Sequence, residues 1–346
     1  SISKADGGTF EANVTFAAGA DIITATAGTD NVRLGENAGD SITSGGTNNV
    51  TIGKDAGTAI TTGDNNTFIG YASGDALTTS SDNTAVGKSS MSAMTTGGSN
   101  TAVGLSALSD DTTGSKSTGI GYQALSSQNF TSATDSHNTA VGYNAGSIIS
   151  TGVSNTLIGS LAGDALNVGG NNVAMGTAAL TSDTQGSHTT AIGRKALQVQ
   201  NFTSATDSHN TACGNNAGQA VTTGTNNTIV GSNAAYALTT SNSNTAIGKS
   251  ALAAETSSNG NTAVGEGALQ VQNVGGSGDA RNTAVGLLAG SEITSGQSNV
   301  CIGYLAGDDL TTGNENVFVG YDTTTCLLYT SPSPRDQRGS GMPACG

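Results

Sequence analysis

The sequence predicts an all-β fold, a parallel β-solenoid with 17-residue coils, and three observations predict it. Glycine supplies 51 of the 346 residues, about twice ordinary usage, while charged residues are 10 % and aromatics 4 %. A five-residue core, Asn-Thr-Ala-Val/Ile-Gly, recurs seventeen times from Gly35 to Gly320; twelve of its intervals are seventeen long, one is eighteen and three are twenty-one. No single copy can bury an apolar face by itself, so the copies must stack. The same composition excludes collagen, which needs Gly at every third position, and a coiled coil, which needs charged heptads. It also lacks the Leu and Phe that would fill a thick α/β enzyme core at native density.

Each position of the coil has a physical reading. The residue before the glycine is apolar in every copy (Ile52, Val86, Val141, Ile192 and Val264 among them), and the residue two earlier is Thr or Val. Alternation with a central Ala has the period of a strand, so these two β-branched residues share one face. They are expected to point inward, together with an Ala and a Leu or Ile. Four residues before the glycine stands Asn in 15 of 17 copies, Ser117 and Thr189 being the exceptions. A short amide there suits a corner, where it satisfies turn backbone and stacks on its equivalent one coil away. The glycine ends the strand, at a place needing positive φ or close backbone approach.

After the glycine, the third residue is Ala or Ser in 16 copies, and the fourth and seventh exchange bulk. Gly57 goes with Ile60 and Gly163 with Leu166, but Leu108 goes with Asp111, Leu180 with Asp183 and Leu252 with Glu255. One void filled from two positions three apart predicts a turn or short 3₁₀-like arc. Sixteen intervals stacked at about 4.8 Å make a rod roughly 77 Å long. The inward set is thin for a lone chain, so a core shared in a homotrimer is expected.

Copies such as "NTAVGLSAL", "NTAIGKSAL" and "NTAVGYNAG" resemble the head repeats of YadA-like trimeric adhesins and, more closely, the repeats of phage tail-fibre-like proteins. The resemblance covers roughly residues 31–323. It implies a left-handed β-roll, trimeric assembly and attachment to a cell surface, with the chain located in a virion or on a bacterial outer surface. The expected function is thus a shaft or attachment segment of a phage or virus tail fibre. The head of a bacterial trimeric autotransporter adhesin is the alternative.

Residues 1–30 alternate without the Asn-to-Gly core and suit a capping segment before the solenoid at 31–325. The chain starts at Ser1 without Met and reads as a fragment. All three prolines lie in the last fifteen residues, where "CLLYTSPSPRD" from Cys326 to Asp336 resembles the conceptual translation of a sequencing adapter. Residues 326–346 are therefore set aside as non-native. That leaves nine basic and twenty-four acidic residues, an acidic rod unsuited to nucleic acid. Cys213 and Cys301, which remain, sit at strand positions and read as small hydrophobes.

No catalytic, cofactor or metal site is expected. His137 and His209 occupy the same position in successive four-coil units and cannot converge; the third histidine is His188. The 21-residue coils carry four extra residues at 126–137, 198–209 and 270–281, which should protrude on one edge. Phe130 and Phe202 are equivalent there, with Val274 in the third loop. They either form an apolar, His-bearing stripe with His137 and His209 for a host glycan or receptor, or fold back over the core or a trimer seam. Tyr71, Tyr122, Tyr143 and Tyr304, each just after a repeat glycine, form a looser ladder of candidate contacts. A remote alternative, ice binding by the pairs Thr61-Thr62, Thr78-Thr79 and Thr95-Thr96, is weakened because adjacent residues of an extended chain point opposite ways.

Overall fold

The computed structural model describes residues 28–276 and 278–323. The tail, the last two residues of the solenoid span and all but the last three residues of the capping segment lie outside them. Seventeen three-residue strands, from Val32–Leu34 to Val317–Val319, form one parallel sheet in chain order, and no helix occurs among the described residues. Equivalent positions face each other across every step. Thr84, Ala85 and Val86 pair with Thr101, Ala102 and Val103, and the 21-residue coil keeps the same match, Thr118 with Thr139. The chain is a parallel β-solenoid whose coil is set by the 17-residue repeat.

After each strand the chain turns as the bulk exchange predicts. In one coil Ala56 N–H donates to Gly53 O at 3.3 Å and Ile60 N–H to Gly57 O at 3.2 Å, two turns closed over three residues. The repeat glycine itself admits no side chain. At Gly87, φ is +135° and an added Cβ would lie 2.5 Å from the carbonyl oxygen of Gly104 on the next coil.

The strand faces are the reverse of the expected ones. In every strand but the first the central residue is buried, and in all seventeen the flanking Thr or Val and Val or Ile are half-buried or exposed. Period-2 alternation places those two residues on a common face without saying which face is inside. Interior volume decides it. The narrow coil is already filled by the Ala or Ser three residues after the glycine, by the bulky residues of the arc and by the Asn amides. Opposite them there is room mainly for Ala, or for Gly119, where an added Cβ would already come within 3.1 Å of Ala124 O.

The bulk exchange therefore runs over three positions. Where the strand centre is large the fourth residue of the arc is small, Ala235 after Ile229 and Gly74 after Phe68, and a Cβ on Gly57 or Gly74 would lie 2.9 or 2.7 Å from the Phe68 ring. Where the strand centre is Ala or Gly, a Leu can occupy the arc, as Leu108, Leu125, Leu180, Leu197, Leu252 and Leu269 do. Each of these Leu residues holds φ between 48° and 53°. That backbone costs roughly 1–2 kcal/mol for an L-residue, against about 1.5–3 kcal/mol from burying the side chain completely, so burial offsets the strain.

Asn forms the second buried column. Asn155 N–H donates to Asn138 Oδ1 at 2.9 Å, and Asn155 Nδ2 donates to Gly169 O at 3.0 Å, spanning from the coil before to the coil after. The same two bonds recur at Asn172 and Asn299. Coil after coil is thus tied to both neighbours by satisfied buried amides, as a corner ladder requires.

Candidate interaction surface

At the three long coils the seventh-residue column turns polar. It reads Ile149, Leu166, then Asp183, Gln200, then Val221, Leu238, and all six are fully buried. Gln200 Nε2 donates to Asp183 Oδ2 at 2.7 Å and to Thr189 Oγ1 at 3.0 Å, while its Oε1 accepts from Asn210 Nδ2 at 2.8 Å. Asp183 Oδ1 accepts from Gly186 N–H at 2.9 Å. The first long coil repeats the set with Asp111, Gln128, Ser117 and Asn138. In the third, Glu255 Oε1 accepts the backbone N–H groups of Thr256, Ser257 and Ser258, and its Oε2 accepts from Gln272.

These acid–amide pairs stand where the Asn ladder must step across four extra residues, and the Gln amide bridges the step. They also explain the two exceptions in the Asn column, since Ser117 and Thr189 supply the hydroxyls that the Gln residues meet. Sequence reasoning missed the pairs. The signal was the Asp or Glu at the seventh position followed by Gln one repeat later.

The inserted loops split into buried and exposed parts. Phe130 and Phe202 are each only 5 % exposed, so the structure corrects their placement as ligand-facing residues and folds them back over the core. The preceding coil holds them there: Thr113 Oγ1 donates to the carbonyl of Phe130 and Thr184 Oγ1 to that of Phe202. Short parallel pairings, Gly114–Ser115 with Thr134–Asp135 and Gly186–Ser187 with Thr206–Asp207, anchor the loop ends. The tips at 131–133 and 203–205 are exposed.

His137 and His209 are exposed and remain apart, as their spacing requires. His209 instead meets His188 of the preceding coil, with ring centroids 5.4 Å apart, and His188 Nδ1 lies 2.9 Å from Asp207 Oδ1. In the first long coil Lys116 occupies the His188 position, and its hydrogen bond to Asp135 holds that carboxyl below the ordinary aspartate value. Among the described residues no group of three or more His, Cys, Asp or Glu side chains is placed to hold a metal ion.

The tyrosines form separate pairs, not one ladder. Tyr122 stacks on Tyr143 with centroids 5.3 Å apart, and Tyr304 on Tyr321 at 5.1 Å, so each pair covers ring faces and presents edges. Tyr71 lies under Lys88 Nζ, 5.9 Å from the ring centroid. The adjacent Thr pairs alternate as expected: Thr62, Thr79 and Thr96 are exposed, while Thr61, Thr78 and Thr95 turn their hydroxyls to carbonyls of the next coil.

The outward strand face runs uncovered along the described coils. Its first column is twelve Thr and five Val, and its second is seven Ile, seven Val, Leu34, Met175 and Cys213. Cys213 is exposed there, whereas Cys301, at a strand centre, is buried and its thiol is pushed up to about 12 by that burial. A maleimide at neutral pH should therefore leave Cys301 unlabelled until the chain is unfolded, while Cys213 is labelled within minutes wherever no second copy covers this face, read by peptide mapping. Labelling of Cys301 ahead of Cys213 would contradict this placement of the strand faces. Comparison with family models, curated proteins and solved structures finds no match to this chain.

Proposed function

We propose that this chain is a structural shaft and attachment segment of a phage or virus tail fibre, acting as a homotrimer of left-handed rolls. The observation that carries this reading is the unbroken register of seventeen coils, which turns a short repeat into rigid length of roughly 77 Å. Rigid length with exposed aromatic and His side chains at its surface suits a segment that reaches a host surface. Tyr71, Tyr122, Tyr143, Tyr304, His137 and His209 are its candidate contacts to a host glycan or protein receptor. The head of a bacterial trimeric adhesin is the second reading, favoured by the "NTAVG" and "NTAIG" copies that both families share.

Light scattering on the purified chain should return about 100 kDa, three times 33.7 kDa, and electron micrographs should show rods near the expected length. A stable, soluble monomer would overturn the trimer. The reading frame recovered downstream separates the two settings: a chaperone domain places the segment in a fibre, and a membrane-anchoring β-barrel places it in an adhesin.

A further inference from the structure

We infer that the outward strand face is the surface on which copies of this chain associate, side by side, parallel and in register. The inference rests on the homo-oligomer reading and names the face that reading left open. Its first support is charge. Charged residues are 10 % of the chain, so three or four would be expected among the 34 outward strand positions, and Arg33, the one charge within these strands, stands at a strand centre, off this face. In a chain of net charge −14, this strip is where two copies approach without bringing carboxylates together.

Area is the second support. A strip roughly 77 Å long and about 12 Å wide covers on the order of 900 Å² of each copy, so closing three such strips around one axis buries about 2,700 Å² in the trimer as a whole. Ile69, Ile158, Ile192, Ile247 and Ile302 on this strip are all exposed.

Geometry is the third. Every strand presents the same two side-chain columns at the same coil spacing, so copies related by an axis along the rod match row for row. The second column varies between Val, Ile, Leu, Met and Cys, which suits packing against side chains that can adjust. It does not suit matching to a fixed lattice such as ice. A parallel arrangement brings Cys213 of neighbouring copies to one height. An antiparallel pair would set Cys213, on the eleventh strand, opposite Val141 on the seventh.

The test uses the full chain with Cys326→Ser and Cys345→Ser, leaving Cys213 as the exposed thiol. Copper-phenanthroline oxidation should give a covalent dimer through Cys213. A mixture of this protein with a Cys213→Val, Val141→Cys variant should give only like-with-like dimers. Ile247→Lys with Val264→Lys should convert the assembly from about three chain masses to one, while Thr79→Lys, exposed off the face, should leave it unchanged. A wild-type monomer would overturn the homo-oligomer reading itself, and thermal hysteresis in that monomer would assign the face to ice. A wild-type trimer that ignores both lysines and forms no Cys213 dimer would overturn the assigned face alone. A mixed 141–213 dimer would overturn the parallel register. If the lysine variant fails to fold, the cysteine result decides.

Discussion

Gly159→Ala should lower stability by roughly 3–5 kcal/mol, and by that amount in each copy of any assembly. At φ +134° Gly159 holds a backbone that an L-residue scarcely adopts, and an added Cβ would lie 2.7 Å from the carbonyl carbon of Gly176 on the next coil. Neither coil can move aside. Both are held by the strand pairing of Thr156–Ile158 with Val173–Met175 and by the Asn155 and Asn172 amides. Because each coil touches only its neighbours, the damage should open the rod locally, and limited proteolysis should cut near the central coils before either end. Gly278→Ala is the control. It has no neighbour within 4 Å of an added Cβ, and its urea midpoint should stay within experimental error. Equal midpoints for the two variants would refute the close stacking.

Gln200→Leu should cost about 1–3 kcal/mol for each buried polar group that it leaves without a partner. The substitution keeps similar bulk but strips a donor from Asp183, a donor from Thr189 and an acceptor from Asn210, all fully buried. Gln219→Leu supplies the contrast. Its amide meets Gln198 in a partly exposed pair, and its loss should cost under about 0.5 kcal/mol. A second variant, Asp183→Leu with Gln200→Leu, should not recover stability unless Leu180 and Leu197 are also reduced to Gly. The arc already carries those two side chains in the volume that Ile149 or Leu166 fills elsewhere. Urea denaturation of the set measures each step. A Gln200→Leu protein as stable as the parent would show that the acid–amide pair contributes nothing at the long coils.

Much of this was legible because the repeat is strict. The strand, its parallel register, the turning arc, the corner Asn and the glycine stop all follow from residue types at fixed offsets. The acid–amide pairs were not legible, since Asp183 and Gln200 stand a full repeat apart and each looks like an ordinary solvent-facing side chain until the coils are stacked. Phe130 and Phe202 were ambiguous for the same kind of reason. Whether a loop aromatic faces solvent depends on what the neighbouring coil leaves uncovered, and Thr113 of the preceding coil helps to decide it.

By itself the sequence determined that this protein is a stack of seventeen short coils, because only stacking can bury a face that small. The tertiary structure alone decided which side of each strand looks inward. Alternation is symmetric between the two faces, so Thr-Ala-Val is compatible with either. The volume left after the arc and the Asn column have filled the coil is not symmetric. It accepts Ala and turns the larger β-branched pair outward, which leaves an uncharged strip along the whole rod.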